Sequence, residues 1–117
     1  MYPEVRLRRL RKTAWMRDLV AQHHLMAKDL IQPFFIIEGQ NKKEPIETMP
    51  GIDRLSLDLV VAKAKEAAEL GIKAIALFPA IDANLKDAEG SEACNKNNLV
   101  CRAIKAVKAA KIDIGVI

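Results

Sequence analysis

The sequence predicts an α/β fold in which three parallel strands alternate with two crossover helices. Three apolar runs, at residues 30–37, 72–78 and 112–117, lack the polar alternation of half-exposed strands, which is typical of strands buried on both faces. Amphipathic segments separate the runs, and this order favours parallel pairing through right-handed crossovers. Two helices cannot cover both faces of such a sheet, so we expect an incomplete piece of a larger sheet.

A basic arm precedes the first strand, and we place the division between arm and sheet portion at 1–29 and 30–117. The net charge is +4, and five cations crowd the start of the chain: Arg6, Arg8, Arg9, Arg11 and Lys12. Such an arm can bind nucleic acid, an anionic membrane or an acidic protein surface. No aromatic side chains are interleaved with these cations for base stacking. An arm that is solvated or contacts another subunit is therefore favoured over an arm that binds nucleic acid. Thr13 is expected to cap a short helix that reaches Val20.

The first strand and the first long helix have clear boundary signals. Pro33 is expected at the start of the strand, since proline cannot donate to a β ladder. Residues 40–54 are predicted to form a polar loop. Ser56 is then expected to cap a helix over residues 57–70, which Gly71 ends.

The second half of the chain repeats this order. The second strand is expected over 72–78 and ends at Pro79, after which a long polar loop follows. Asn97 or Asn98 is expected to cap a helix to about Ala110. The last apolar run then supplies the third strand.

Composition favours a cytoplasmic protein. No apolar run approaches the roughly 20 residues that span a bilayer, and the N-terminus lacks the apolar stretch of a secretion signal. Cys94 and Cys101 form neither a C-x-x-C nor a Cys/His zinc pattern, and two free thiols favour a reducing compartment. We therefore expect neither a membrane nor a nucleic acid as a partner.

The loop after the second strand holds the acidic groups Asp82, Asp87, Glu89 and Glu92, which could bind a metal or water. A solvated loop is favoured, because a glycine and an asparagine lie among them. The sequence contains no Ser/His/Asp pattern, no H-E-x-x-H motif, no Gly-rich phosphate loop and no Cys/His cluster. We therefore predict no metal site in this chain.

None of the lysines is placed as a Schiff-base nucleophile. Such a lysine usually sits desolvated at a strand end, where burial lowers its pKa. Lys73 lies near the start of its strand, and the helix lysines Lys63, Lys65, Lys105 and Lys108 are expected on solvent faces. We therefore predict that no residue of this chain is a catalytic nucleophile.

A set of short motifs extends along almost the whole chain. They are Arg6-Leu-Arg-Arg-Leu-Arg11, Leu30-Ile-Gln-Pro-Phe-Phe-Ile-Ile-Glu-Gly39, Glu44-Pro-Ile-Glu-Thr-Met-Pro-Gly51, Arg54-Leu-Ser56, Leu70-Gly-Ile72, Ala76-Leu-Phe-Pro79, Leu85-Lys-Asp87 and Gly90-Ser-Glu-Ala93. Their order and spacing resemble the porphobilinogen synthase family, also called the 5-aminolevulinate dehydratases. Each motif alone is weak, whereas the set is specific.

The resemblance implies the N-terminal part of a (β/α)8 TIM barrel, with its first three strands, two crossover helices and an N-terminal arm. It implies the condensation of two 5-aminolevulinate molecules to porphobilinogen, an early step of tetrapyrrole and heme synthesis, in a homo-octamer built from arm-exchanging dimers. In the family two lysines form Schiff bases with the substrates, and a zinc or magnesium ion assists at one of them. These lysines and the metal ligands have no counterpart in residues 1–117 and are expected beyond Ile117, so the chain alone is expected to be inactive.

Few site residues can be carried over from the resemblance. Phe78, at the end of the second strand, resembles a residue of the substrate pocket wall. The arm residues expected to contact the next subunit are Arg6, Arg8, Arg9 and Arg11. Cys94 stands where many family members have an aromatic residue, so we do not expect it to bind zinc.

Two alternatives remain open from the residues alone. One is another Schiff-base (β/α)8 lyase or aldolase with the same strand–helix spacing. The other is a non-enzymatic α/β assembly module that uses its basic arm. The segment that follows Ile117 would separate the first alternative from a porphobilinogen synthase, and cooperative unfolding of a compact monomer would support the second.

Overall fold

The structure is a computed structural model that describes residues 2–117, and its centre is one five-stranded sheet in the order β2-β3-β1-β4-β5. The strands are β1 (Ile31–Ile36), β2 (Lys43–Pro45), β3 (Asp53–Leu55), β4 (Ala74–Pro79) and β5 (Gly115–Val116), and the helices are α1 (Ala14–Leu19), α2 (Leu57–Glu69), α3 (Ser91–Cys94) and α4 (Leu99–Ala109). β1 pairs in parallel with β3 and β4, and β4 pairs in parallel with β5. The predicted alternation of three parallel strands (β1, β4 and β5) with two crossover helices (α2 and α4) is confirmed.

The prediction of a structureless loop over 40–54 is wrong, because this segment contains the hairpin β2–β3. The two strands pair antiparallel, and Arg54 Nη1 lies 3.1 Å from Glu44 Oε1 across the pair. β3 also extends the main sheet, beside Phe35 and Ile36 of β1. Three-residue strands are too short to produce a periodic pattern, so their pairing is set by contacts distant in the sequence.

Pro33 lies in the middle of β1 and not at its start, contrary to the prediction. Ile36 O accepts from Ala80 N next to β4, whereas Ile37 N donates to Leu55 O of β3. Backbone groups alternate between the two neighbours, so the nitrogen of Pro33 faces the β3 side. β3 pairs only with the last residues of β1, so the missing N–H of Pro33 costs no ladder hydrogen bond.

Ser56 precedes α2 as predicted, but its hydroxyl does not cap the helix backbone. The side chain is fully buried, its Oγ donates to Asp58 Oδ1 at 2.6 Å, and it accepts from Lys42 N at 2.9 Å. Asp58 in turn accepts from Asn41 N at 3.0 Å. This serine–aspartate clip fixes the loop after β1 to the first turn of α2. The hydrogen bond from Ser56 and that from Asn41 stabilise the carboxylate and lower the pKa of Asp58.

Both long helices pack on the same face of the sheet. Ile36 and Ile75 are fully buried there against Val60 of α2 and Val107 of α4. Successive right-handed crossovers that advance in one direction place their helices on one side, which explains this arrangement. As predicted, Asn98 caps α4, with its Oδ1 accepting from Cys101 N at 2.8 Å.

The opposite face of the sheet is apolar and lacks a covering layer within residues 2–117. Ile31, Phe78 and Ile117 are 55%, 50% and 70% exposed. Ile31 pairs with Ala74 and Phe35 with Phe78, so the side chains on this face alternate with the buried ones on the helix side. We call this surface the open face.

The N-terminal arm projects from this body. None of the residues from 2 to 30 is buried, and Trp15 of α1 is 64% exposed. The radius of gyration is 21.0 Å, against about 13 Å for a compact chain of 100 residues. Ala27 of the arm lies close to Gly71, which follows α2: a Cβ atom added to Gly71 would lie 3.4 Å from the Cβ of Ala27. The boundary at residue 29 stays a prediction.

Ser56→Ala is expected to destabilise the chain by about 1–3 kcal/mol, because it leaves the Lys42 amide without its acceptor in a partly buried site. Urea denaturation measures the loss, and amide hydrogen exchange of Lys42 should accelerate locally. Ser91→Ala is the matched control, since Ser91 lies beside Asp87 on the surface. Unchanged exchange at Lys42 would show that the clip does not hold the loop.

The lowered pKa of Asp58 makes the clip sensitive to acid. A carboxylate with a depressed pKa in the folded state adds stability above its unfolded pKa, roughly pH 4, and loses it as the pH falls through the folded value. Asp58→Asn should therefore lower the free energy of unfolding at pH 7 and reduce its decline as the pH falls below about 4. An equal decrease in the free energy of unfolding at all pH values would contradict the assignment of this acid sensitivity to Asp58.

The open face and the two sheet edges should make the isolated 117-residue chain self-associate. Light scattering is expected to give a mass that rises with concentration, and the dye ANS should fluoresce strongly. Phe78→Lys should reduce both signals, whereas Ile104→Lys on the helix side should not. A compact monomer without dye binding would contradict this expectation.

Candidate functional site

The C-terminal ends of β1 and β4 form the edge at which parallel α/β barrels gather their chemistry. The strands end at Ile36 and Pro79, in register with one another. Glu38 follows the first strand, and the loop of residues 80–98 follows the second. Three kinds of feature lie at this edge: an aromatic pair, a cleft and a set of carboxylates.

The aromatic pair consists of Phe35 and Phe78, each the last but one residue of its strand. The two residues are register partners, and their ring centroids are 5.7 Å apart with an interplanar angle of 34°. Both rings belong to the open face, and the ring of Phe78 is half exposed. The pair therefore forms an apolar wall near the end of the strands.

A cleft of about 330 Å³ lies between the loop that follows β4 and the start of α4, and neither phenylalanine lines it. Its lining is mostly apolar, with three carboxylates and an asparagine, and comprises Glu38, Pro79, Ala80, Ile81, Asp82, Leu85, Glu92, Ala93, Asn98, Leu99 and Val100. Each carboxylate has a partner: Glu38 pairs with Arg102, Asp82 accepts from Asn84 N, and Glu92 accepts from Asn95 Nδ2. Asp82 and Glu92 therefore stabilise the loop after β4, and Glu38 links the end of β1 to α4.

The acidic loop forms no metal centre in the part of the chain that the structure describes. Residues 2–117 contain no group of three His, Cys, Asp or Glu side chains that could hold a metal ion. Asp87 accepts from Ser91 N at 2.8 Å, and the serine side chain and this backbone bond lower the pKa of Asp87. These residues do not by themselves provide a zinc or magnesium site.

The lysines occupy the positions expected from the sequence. Lys73 precedes β4 at the opposite end of the sheet, and every lysine of the chain is exposed. Lys63 is paired with Glu66 on the outer surface of α2 at 2.6 Å. Schiff-base formation favours an amine that burial desolvates, and each of these lysines is exposed.

The arm arginines are all exposed: Arg6, Arg8, Arg9 and Arg11. Arg6 stacks over the ring of Tyr2 at 5.7 Å, and the carbonyl of Arg11 accepts from Arg17. Within the described residues none of the four forms an ion pair with a carboxylate. No helix of residues 2–117 combines the length and the apolar character needed to cross a bilayer.

Phe35 was not identified as a site residue from the sequence. It lies within an apolar run in which every residue has the character of a buried strand. Only the register between β1 and β4 reveals that Phe35 faces Phe78. The motif that contains Phe78 gave no indication of a partner on another strand.

A family model described as delta-aminolevulinic acid dehydratase matches residues 4–117. The delta-aminolevulinic acid dehydratase of Bradyrhizobium diazoefficiens is 51% identical over 113 residues, which cover 97% of this chain and 32% of that protein. The Synechocystis enzyme of the same name is 39% identical over 117 residues, or 35% of its length. The chain thus spans about one third of the length of these relatives.

A solved structure of the same family gives the same result for the fold. The delta-aminolevulinic acid dehydratase (porphobilinogen synthase) of Toxoplasma gondii, crystallised with the reaction product porphobilinogen, matches with a TM-score of 0.87 at 38% identity. The match covers 96% of this chain and 32% of that one. The predicted fold class, an N-terminal part of a (β/α)8 barrel, is confirmed. Since the family model matches nearly the whole chain, the chain belongs to the delta-aminolevulinic acid dehydratase family.

Proposed function

We propose that this chain forms the first third of a porphobilinogen synthase, a lyase that condenses two molecules of 5-aminolevulinate to porphobilinogen. The observation that carries the proposal is the match over residues 4–117, together with the backbone likeness to an enzyme crystallised with porphobilinogen. The reaction belongs to tetrapyrrole and heme synthesis. The two alternatives, an aldolase-like barrel and an assembly module, have no comparable support.

The residues of this chain contribute structure and binding to the proposed reaction, not the nucleophiles. Its exposed lysines are unsuited to Schiff-base formation, so the two catalytic lysines would belong to segments outside residues 1–117. Phe78 would form part of the substrate pocket wall, because its half-exposed ring stands near the C-terminal end of β4 on the open face. An aromatic wall excludes water and orients the carbon chain of a small substrate.

A metal, zinc or magnesium, would assist the complete enzyme through ligands outside this chain. The described residues contain no fitting ligand set, so this chain would supply no complete metal site of its own. Cytoplasmic location is also part of the proposal, supported by two free thiols, Cys94 and Cys101.

The arm would bind a neighbouring subunit in a homo-octamer of arm-exchanging dimers. Residues 1–29 hold seven basic and three acidic side chains, so they carry the whole net charge of +4. Exposed apolar side chains, such as Leu7, Leu10 and Trp15, accompany these charges. A segment that is basic, apolar and unburied within its own chain is suited to binding another protein surface.

The activity is tested with a chimera in which this chain replaces the matching first third of the Bradyrhizobium relative. We expect the chimera to form porphobilinogen from 5-aminolevulinate and the 117-residue chain alone to form none. The complete relative is the positive control. A folded chimera without activity, or activity in the 117-residue chain alone, would contradict the proposal.

The role of the arm is tested in the same chimera by changing Arg6, Arg8, Arg9 and Arg11 to glutamine. Loss of these charges should shift the assembly towards smaller oligomers in analytical ultracentrifugation, and high salt should have the same effect on the unaltered protein. The matched control changes four exposed helix and loop lysines to glutamine: Lys65, Lys96, Lys105 and Lys111. An unchanged oligomer in the arginine variant, or an equal shift in the control, would argue against the arm contact.

A further inference from the structure

Phe78 has one aromatic neighbour, Phe35, among the residues that the structure describes. The rings lie 5.7 Å apart and are tilted by 34°, which is within the range of favourable offset aromatic contacts. The two residues are Cα partners in the β1–β4 ladder, so a rigid backbone register fixes the spacing of the rings. The contact is therefore determined by the centre of the sheet and does not depend on a loop.

The other positions around Phe78 on the open face give its ring no aromatic contact. Ala76 and Ala74 precede it on the same strand, and neither side chain is large enough to reach the ring. On the other flank the ladder between β4 and β5 ends at Ile117, whose carbonyl accepts from Leu77 N, so Ile117 stands beside Ala76 and not beside Phe78. Phe35 is thus the register partner of Phe78 and the residue whose ring is seen to pack against it.

We propose that Phe35 is a positioning residue of the substrate pocket, which holds the ring of Phe78 in the orientation that contacts 5-aminolevulinate. This inference rests on the proposed function. Phe35 is more buried than Phe78 and supports it from the side, so its effect on the substrate passes through Phe78. Neither ring has a polar group that could transfer a proton, so the pair acts on binding and orientation.

The proposal is tested in the chimera that joins this chain to the rest of the Bradyrhizobium relative, with the variants F35L, F78L and F35L/F78L. Leucine keeps an apolar side chain but removes the aromatic contact. F35L should raise KM for 5-aminolevulinate roughly threefold to tenfold, the range expected for loss of an aromatic pair, and leave kcat within about twofold. The double variant should have the KM of F78L, because residues that act through one another are not additive.

Two further variants separate positioning from general structural damage. F35Y keeps the ring and should restore a KM close to that of the unaltered enzyme. Ile31→Val is the matched control, since Ile31 lies on the same strand and the same face but at the opposite end, and its KM should not change. If F35L does not fold, as judged by circular dichroism, F35M replaces it with a side chain of similar volume.

Each outcome supports or overturns the inference. An active enzyme in which F35L has an unchanged KM, or in which F35L and F78L act additively, overturns the role of Phe35 and leaves the proposed function standing. An equal rise of KM in Ile31→Val also overturns it, because the effect would then be one of packing. A folded chimera that carries no substitution and forms no porphobilinogen overturns the proposed function and this inference together.

Discussion

The parallel pairing of β1 with β4 is the interaction on which the rest of the structure depends. Six consecutive residue pairs, from Ile31–Ala74 to Ile36–Pro79, join the two strands. This ladder buries Ile36 and Ile75 under both helices and, on the reverse side, brings the two phenylalanines together. A shift of one residue would exchange the two faces, placing the buried isoleucines in solvent. The same register thus determines both the core and the aromatic wall.

The sequence predicted the elements whose signals are local and long. β1, β4, α2 and α4 have continuous apolar runs or helical periodicity, and Asn98 caps α4 through its own side chain. The failures concern features held by distant partners. The β2–β3 hairpin exists because β3 pairs with the end of β1, and the hydroxyl of Ser56 binds Asp58 and the Lys42 amide instead of the helix backbone.

The same distinction applies to the candidate site. Phe78 was selected because its motif resembles one of the family, and its pocket role stays a prediction, although the motif also ends a strand, where barrels gather function. Phe35 could not be selected, because its importance depends on a register between two strands separated by about 40 residues of sequence. The exposure of the helix lysines could be predicted from the sequence, since exposure on an amphipathic helix is a local property, and the absence of a catalytic lysine stays a prediction. The exposed apolar side chains and the aromatic pair are both explained if the open face is the inner wall of a barrel that other segments complete.

Hydroxyl-radical footprinting of the chimera tests most directly whether the aromatic wall of Phe35 and Phe78 lines the substrate pocket. The oxidation rate of Phe78 is measured with and without porphobilinogen, and that of Trp15 on the arm serves as the internal reference. The account predicts that porphobilinogen protects Phe78 and leaves Trp15 unchanged. Equal oxidation of Phe78 in both states, at saturating porphobilinogen, would contradict the placement of this aromatic wall in the pocket.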